Sequence, residues 1–93
     1  MNRYRTHQQI LADVLIVLDE STRDGIAVTK LCHKSNVSYS RLKKIICALT
    51  TSGNINKIEY DGKNTFVLTE KGRHYLQKYK QFSDIAEGFG LEM

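Results

Sequence analysis

Hydrophobic residues recur along the chain with two different periods, and each change of period marks a new element. Ile10, Leu11, Val14, Leu15, Val17 and Leu18 repeat at helical spacing up to about Glu20. Thr6 followed three residues later by Gln9 is a capping-box arrangement, so this helix is expected to start near His7. Ile16 falls off the main apolar face and gives the helix a second side to bury, against another chain in one reading. Ser21–Gly25 reads as a loop, Ile26–Val28 as a very short strand, and Thr29 as the cap of a short helix reaching about Lys34. Ser35-Asn36-Val37 breaks that helix and Ser38 caps the next. In this third helix Leu42, Ile45, Ile46 and Leu49 form one stripe, and Gly53 stands where a left-handed residue would end it.

After Gly53 the pattern becomes that of strands. Ile55–Tyr60 and Thr65–Leu68 flank Asp61-Gly62, a strong hairpin signal. Thr69 then caps a last helix from about Glu70 to near Gly88. The order is helix, short strand, helix, turn, helix, hairpin, helix, which predicts an α+β, mainly α fold: a winged helix-turn-helix with a C-terminal helix. Residues 1–69 are expected to form the winged helix-turn-helix unit, and 70–93 a dimerisation helix with a frayed tail.

Charge sharpens this picture through its placement. The chain carries 14 Lys and Arg against 10 Asp and Glu, a net charge of +4. Between Gly25 and Ile58 lie Lys30, Lys34, Arg41, Lys43, Lys44 and Lys57 without a single acid. Such a segment attracts polyanions and steers them to one surface. At about 100° per residue, Ser40, Lys43, Lys44, Cys47 and Thr51 fall opposite the apolar stripe of the third helix, with Tyr39 and Arg41 on its flanks. An apolar back and a small, cationic front suit a helix lying in the major groove of double-stranded DNA. Ser38, Tyr39 and Ser40, at its first turn, are placed to reach bases or phosphates. Lys30, Arg41, Lys43 and Lys44 are expected on DNA as well, and the wing lysines Lys57 and Lys63 on phosphates.

Other chemistries find little support. The longest apolar stretch, Val14–Leu18, is far too short to span a bilayer, and no charged n-region and apolar run opens the sequence. Two cysteines do not make a secreted disulfide scaffold. A soluble cytoplasmic, nucleoid-associated protein is therefore expected. Cys32, His33, Cys47, His7 and His74 show no zinc-site spacing, so no metal is expected. Gly88-Phe89-Gly90 is not a nucleotide loop, because no helix follows it. No cofactor, small-molecule ligand or catalytic residue is evident, and the chain does not read as an enzyme. Cys47, on the cationic face, leaves a redox switch on DNA binding as a side possibility.

A family resemblance rests on Thr29-Lys30-Leu31, Asn36-Val37-Ser38-Tyr39, Arg41-Leu42-Lys43-Lys44, Leu49, Ser52-Gly53 and Phe66-Val67-Leu68-Thr69-Glu70-Lys71-Gly72. Together these resemble the small archaeal winged-helix proteins of the ArnR-like type, over roughly residues 9–82. The resemblance implies double-stranded DNA binding, usually by a homodimer, through the helix after Ser38 and the Asp61–Asn64 wing. One subset is similar to abundant archaeal DNA-binding proteins that dimerise through a C-terminal antiparallel coiled coil. Gly53-Asn54-Ile55 departs from the pattern, which usually has an apolar residue directly after the glycine.

The last helix supports self-association in its own right. Leu68, Gly72, Tyr75, Tyr79, Phe82, Ala86 and Phe89 are spaced as a heptad seam. Tyr75, Leu76, Tyr79, Phe82 and Ala86 are expected at a homodimer interface, with the first helix assisting. The competing arrangement packs this face onto the first helix of the same chain. Two other readings stay open: weakly specific architectural binding of chromosomal DNA, and a protein-interaction module whose basic segment meets an acidic partner.

Overall fold

Three hydroxyl side chains set the starts of three helices. In the computed structural model, which describes residues 5–90, Thr6 Oγ1 accepts from Gln9 N at 3.1 Å while Gln9 Oε1 accepts from Thr6 N at 2.8 Å. The capping box is thus complete, and α1 runs His7–Asp19. Ser38 Oγ accepts from Arg41 N to start α3, Tyr39–Thr51. Thr69 Oγ1 accepts from Gly72 N at 3.0 Å to start α4, Glu70–Gly88.

The short helix α2, Val28–Ser35, begins differently from the expectation. Its N-cap is Ala27, which has no side chain to cap with, and Thr29 lies inside the helix. The expected Ile26–Val28 strand contracts to one residue: Ile26 makes a single antiparallel bridge with Phe66, exchanging hydrogen bonds of 3.0 and 2.9 Å. That bridge holds the backbone extended up to Ala27, whose carbonyl then accepts from Leu31 N at 2.9 Å. A contact with a strand forty residues away therefore decides where α2 starts.

Helix α2 ends at Asn36, whose φ of 55° and ψ of 47° place it in the left-handed region. Asparagine tolerates this conformation better than most residues. Arg5 secures the turn that follows. Its guanidinium donates to the carbonyls of Ser35 (3.0 Å) and Asn36 (2.6 Å) and to Asp13 Oδ2 (2.8 Å). The free carbonyls at a helix C-terminus attract a cation, and here the cation also ties the turn to α1.

Strands β1, Ile55–Tyr60, and β2, Lys63–Leu68, pair antiparallel from Ile55↔Leu68 to Tyr60↔Lys63. The returning strand is two residues longer than expected, because pairing continues to the turn itself. Asp61 (φ 52°) and Gly62 (φ 74°) both adopt the positive φ that a tight two-residue hairpin turn demands. The middle of the hairpin is anchored by Thr65, which pairs with Ile58 and whose Oγ1 donates to Asp24 O at 2.6 Å.

One core joins all these elements. Val14, Leu15 and Leu18 of α1 meet Leu31 of α2, the predicted stripe Leu42, Ile45, Ile46 and Leu49 of α3, and Ile55 and Phe66 of the hairpin. Leu76 of α4 joins the same core and is only 2% exposed. Emptying a fully buried site such as Leu42 to alanine costs about 2–5 kcal/mol in general. The stripe therefore fixes the angle at which α3 shows its other face.

Candidate nucleic-acid interface

With its apolar stripe buried, α3 presents the remaining side chains outward. All nine residues expected on DNA are exposed: Lys30, Ser38, Tyr39, Ser40, Arg41, Lys43, Lys44, Lys57 and Lys63. The oxygen of Ser38 is occupied as the cap of α3, although its hydroxyl proton can still donate. Tyr39 lies under Lys43, with the ammonium 5.6 Å from the ring centroid, which holds the cation over the first turn of the helix.

The fold divides these residues between two sides of α3. Tyr39 and Lys43 face the hairpin, where they line a groove of about 460 Å³ together with Lys57 of β1. Asn64 of β2, and Cys47, Thr50 and Thr51 of α3, complete its polar lining. Ser40, Arg41 and Lys44 line the opposite side of α3, toward α1 and α4. Lys30 stands on α2, and Lys63 on β2 directly after the turn.

Sequence reasoning did not single out Thr50 or Asn64 among the contacts. Thr50 Oγ1 donates to Ile46 O at 2.7 Å, so it serves its own helix first. Asn64 is fully available, and its position one residue from Lys63 in the hairpin was the signal for it.

The ion pairs among the described residues are Arg5–Asp13 and Arg73–Asp19, so none of the cations of the basic segment is neutralised there. Lys34 is set apart from the others: it lies over α1 beside Asp13 and Glu20, away from the front of α3. Among the described residues there is no group of side chains that could hold a metal ion, and no helix long and apolar enough to cross a membrane.

The residues expected at a dimer interface also separate. Leu76 and Ala86 are buried within the chain itself, and Tyr79 is half-buried against the core, so Leu76 is committed to the protomer. Tyr75 and Phe82 are exposed, and Ile85 and Phe89 extend their face toward the end of α4. The helix buries Gly72, Leu76, Tyr79, Ser83 and Ala86 to different degrees, one residue out of step with the predicted seam at positions 76 and 83.

Three helices around a shared core, a tight turn before the exposed third helix, and a two-stranded hairpin define a winged helix-turn-helix protein. The chain belongs to the winged helix-turn-helix family, whose model matches residues 4–87. The fold is similar to that of Sso10a-2, a DNA-binding protein from Sulfolobus solfataricus, with a TM-score of 0.77 and 20% identity over 91% of this chain and 85% of that one. It is also similar to SSV1 F-93, with a TM-score of 0.66 and 24% identity over 86% of this chain and 91% of the other. A third similar structure is the Mycobacterium tuberculosis transcriptional regulator MosR in complex with DNA, with a TM-score of 0.70 and 20% identity, covering 90% of this chain and 63% of that one. No curated protein matches the sequence.

Proposed function

We propose that this chain binds double-stranded DNA as a homodimeric transcriptional regulator of the archaeal ArnR-like kind. In this reading α3 lies in the major groove and the wing follows the adjacent phosphate backbone. The observation that carries the proposal is the gathering of Tyr39, Lys43 and Lys57 along one groove between α3 and the hairpin, on a face whose cations have no acidic partner among the described residues. Two consecutive elements, α3 and β1, there present cations to one side, which a phosphate backbone requires. Residues 1–69 would carry the DNA contacts and 70–93 the self-association, with residues 1–4 and 91–93 outside the described part of the chain. The exposed Tyr75, Phe82, Ile85 and Phe89 supply apolar surface for a partner α4. As a soluble nucleoid-bound protein the chain would need no cofactor for this role.

A titration with random duplex and with a selected pool, at two salt concentrations, tests the reading. If each protomer neutralises roughly four to six phosphates, affinity falls by about 0.9 log unit per phosphate per log unit of salt. A steep slope with enrichment of a palindromic site supports a regulator. A steep slope without enrichment indicates architectural binding, and no binding near physiological salt indicates a protein partner. Lys43→Ala, Lys44→Ala and Lys57→Ala are expected to weaken binding to all sequences and to flatten the slope. Lys34→Ala, beside Asp13 and Glu20, is expected to leave both unchanged.

A further inference from the structure

Helix α3 stands as a ridge between two hollows. The groove shared with the hairpin runs along one side, and a cleft of about 580 Å³ toward α1 and α4 runs along the other. The crest of the ridge is the line most nearly opposite the buried stripe Leu42, Ile45, Ile46 and Leu49. At about 100° per residue that line is formed by Ser40, Lys44, Cys47 and Thr51. All four are exposed, with Ser40 and Lys44 on the shoulder of the cleft and Cys47 and Thr51 on the shoulder of the groove.

Three of these crest residues are short, which lets the helix come close to base edges, and Lys44 is the long side chain among them. The other cations of α3 lie on its flanks. Lys43 is drawn toward the hairpin, its ammonium 5.6 Å from the centroid of the Tyr39 ring. Arg41 lies roughly a quarter-turn from the crest on the cleft side. For a helix in the major groove the flanks meet the phosphates of the walls, and the crest meets the bases. Lys44 has no acidic partner among the described residues.

The composition of α3 also narrows the base. The helix contains no Asn, Gln, Asp or Glu, so it has neither the amide that pairs with adenine nor the carboxylate that accepts from cytosine. An ammonium only donates. Guanine offers it two adjacent acceptors in the major groove, N7 and O6, whereas adenine sets an amino donor beside N7, cytosine presents a donor, and thymine a single oxygen beside its methyl. The hydroxyls of Ser40 and Thr51 suit donors and acceptors alike and discriminate little. From this arrangement we infer that Lys44 reads a guanine, so that the DNA selected by this chain carries a guanine beneath the crest of α3 in each half-site. The inference rests on the DNA-binding reading and gives two adjacent lysines different work: Lys43 meets phosphate and Lys44 a base edge. Lys44 also lends its charge to every complex, so overall affinity does not separate the two, but discrimination between bases does.

The test uses the full chain and a duplex drawn from the selected pool, in which each guanine is replaced in turn by 7-deazaguanine. That base keeps its pairing and its O6 but lacks the N7 acceptor. The readout is the Kd for the modified duplex divided by the Kd for the unmodified one, taken for the same protein, so that a general loss of charge cancels. For the wild-type chain a guanine in each half-site is expected to give a ratio of at least about five. Lys44→Ala should bring that ratio close to unity and Lys44→Arg should restore it. Lys43→Ala should keep the wild-type ratio at a lower overall affinity. A pool without an enriched guanine, no guanine sensitive to the replacement, or a ratio that survives Lys44→Ala would overturn the inference while duplex binding persists. Absence of binding to any duplex would instead remove the DNA-binding reading, and the inference with it.

Discussion

Gly72, in the first turn of α4, lies directly against the backbone carbonyl of Asn54, and a Cβ added there would collide with that oxygen and with Leu68 Cδ1. The same carbonyl accepts from Thr69 N at 3.1 Å, so the start of α4 and the start of β1 are joined at one point. Inside a helix, Gly→Ala ordinarily gains about 1 kcal/mol. Here the neighbour is backbone and cannot swing away. Gly72→Ala is expected to reverse the sign and destabilise the fold by about 1–3 kcal/mol, read as a lower urea midpoint. A more stable variant would show that the junction between α4 and the hairpin gives way easily.

Arg5 makes the second long-range tie, to Ser35, Asn36 and Asp13. Arg5→Ala leaves two helix-end carbonyls without their donor and is expected to cost about 1–3 kcal/mol. A lysine can meet only part of this set, because its point charge lacks the planar fork. Arg5→Lys should therefore recover less than half of the loss in a thermal melt, and full recovery would reduce the contact to simple charge attraction.

How much of this was legible in the sequence depends on whether the cause was local. The Thr6–Gln9 box, the Ser38 and Thr69 caps, the positive φ of Gly53 and the Asp61-Gly62 turn are each decided by residues a few positions apart, and each formed as read. The start of α2 was misplaced because the Ile26–Phe66 bridge, not a cap, controls it. On α4, a seven-residue pattern alone cannot distinguish a seam facing a partner from a stripe facing the chain's own α1. Leu76 belongs to the latter. On the candidate site, the sequence pattern set Tyr39, Ser40, Arg41, Lys43 and Lys44 off the apolar stripe of α3 and placed Lys57 and Lys63 on the hairpin, and all seven are exposed. It could not show that the hairpin gathers Tyr39, Lys43 and Lys57 on one side of α3 while Arg41 and Lys44 turn to the other.

The apolar end of α4 yields a direct test of self-association. Phe82, Ile85 and Phe89 are 56%, 58% and 80% exposed in the single chain, a face that a second protomer would cover. The protein is expected to sediment at twice its 10.7 kDa chain mass. Phe82→Glu should return it to the chain mass without loss of helical circular dichroism, because Phe82 lies outside the core of the protomer. A wild-type chain at 10.7 kDa would end the homodimer proposal.

Tyr79 predicts an alkaline response. Burial first, then the charge of Asp13 and the neighbouring Tyr75, raise its pKa above the ordinary value of 10.0. A phenol whose pKa is raised by folding keeps its contribution below the unfolded value and loses it as pH climbs through the folded one. Stability should therefore hold up to about pH 10 and decline above it. Tyr79→Phe should make that decline shallower, measured as the change in urea midpoint between pH 8 and roughly 10.5. An unchanged slope would mean that other tyrosines govern the alkaline limb.

The hairpin is held to the body along its inner part, by Ile55 and Phe66 in the core, the Ile26–Phe66 bridge and the bond from Thr65 to Asp24, while Glu59 to Asn64 are exposed. Its reach is therefore a separable dimension of the molecule. Inserting two residues in each strand would preserve the inward and outward alternation and the two-residue turn, and would extend the tip by about 7 Å. Descendants of this chain could lengthen or shorten that arm in steps without renegotiating a single buried contact.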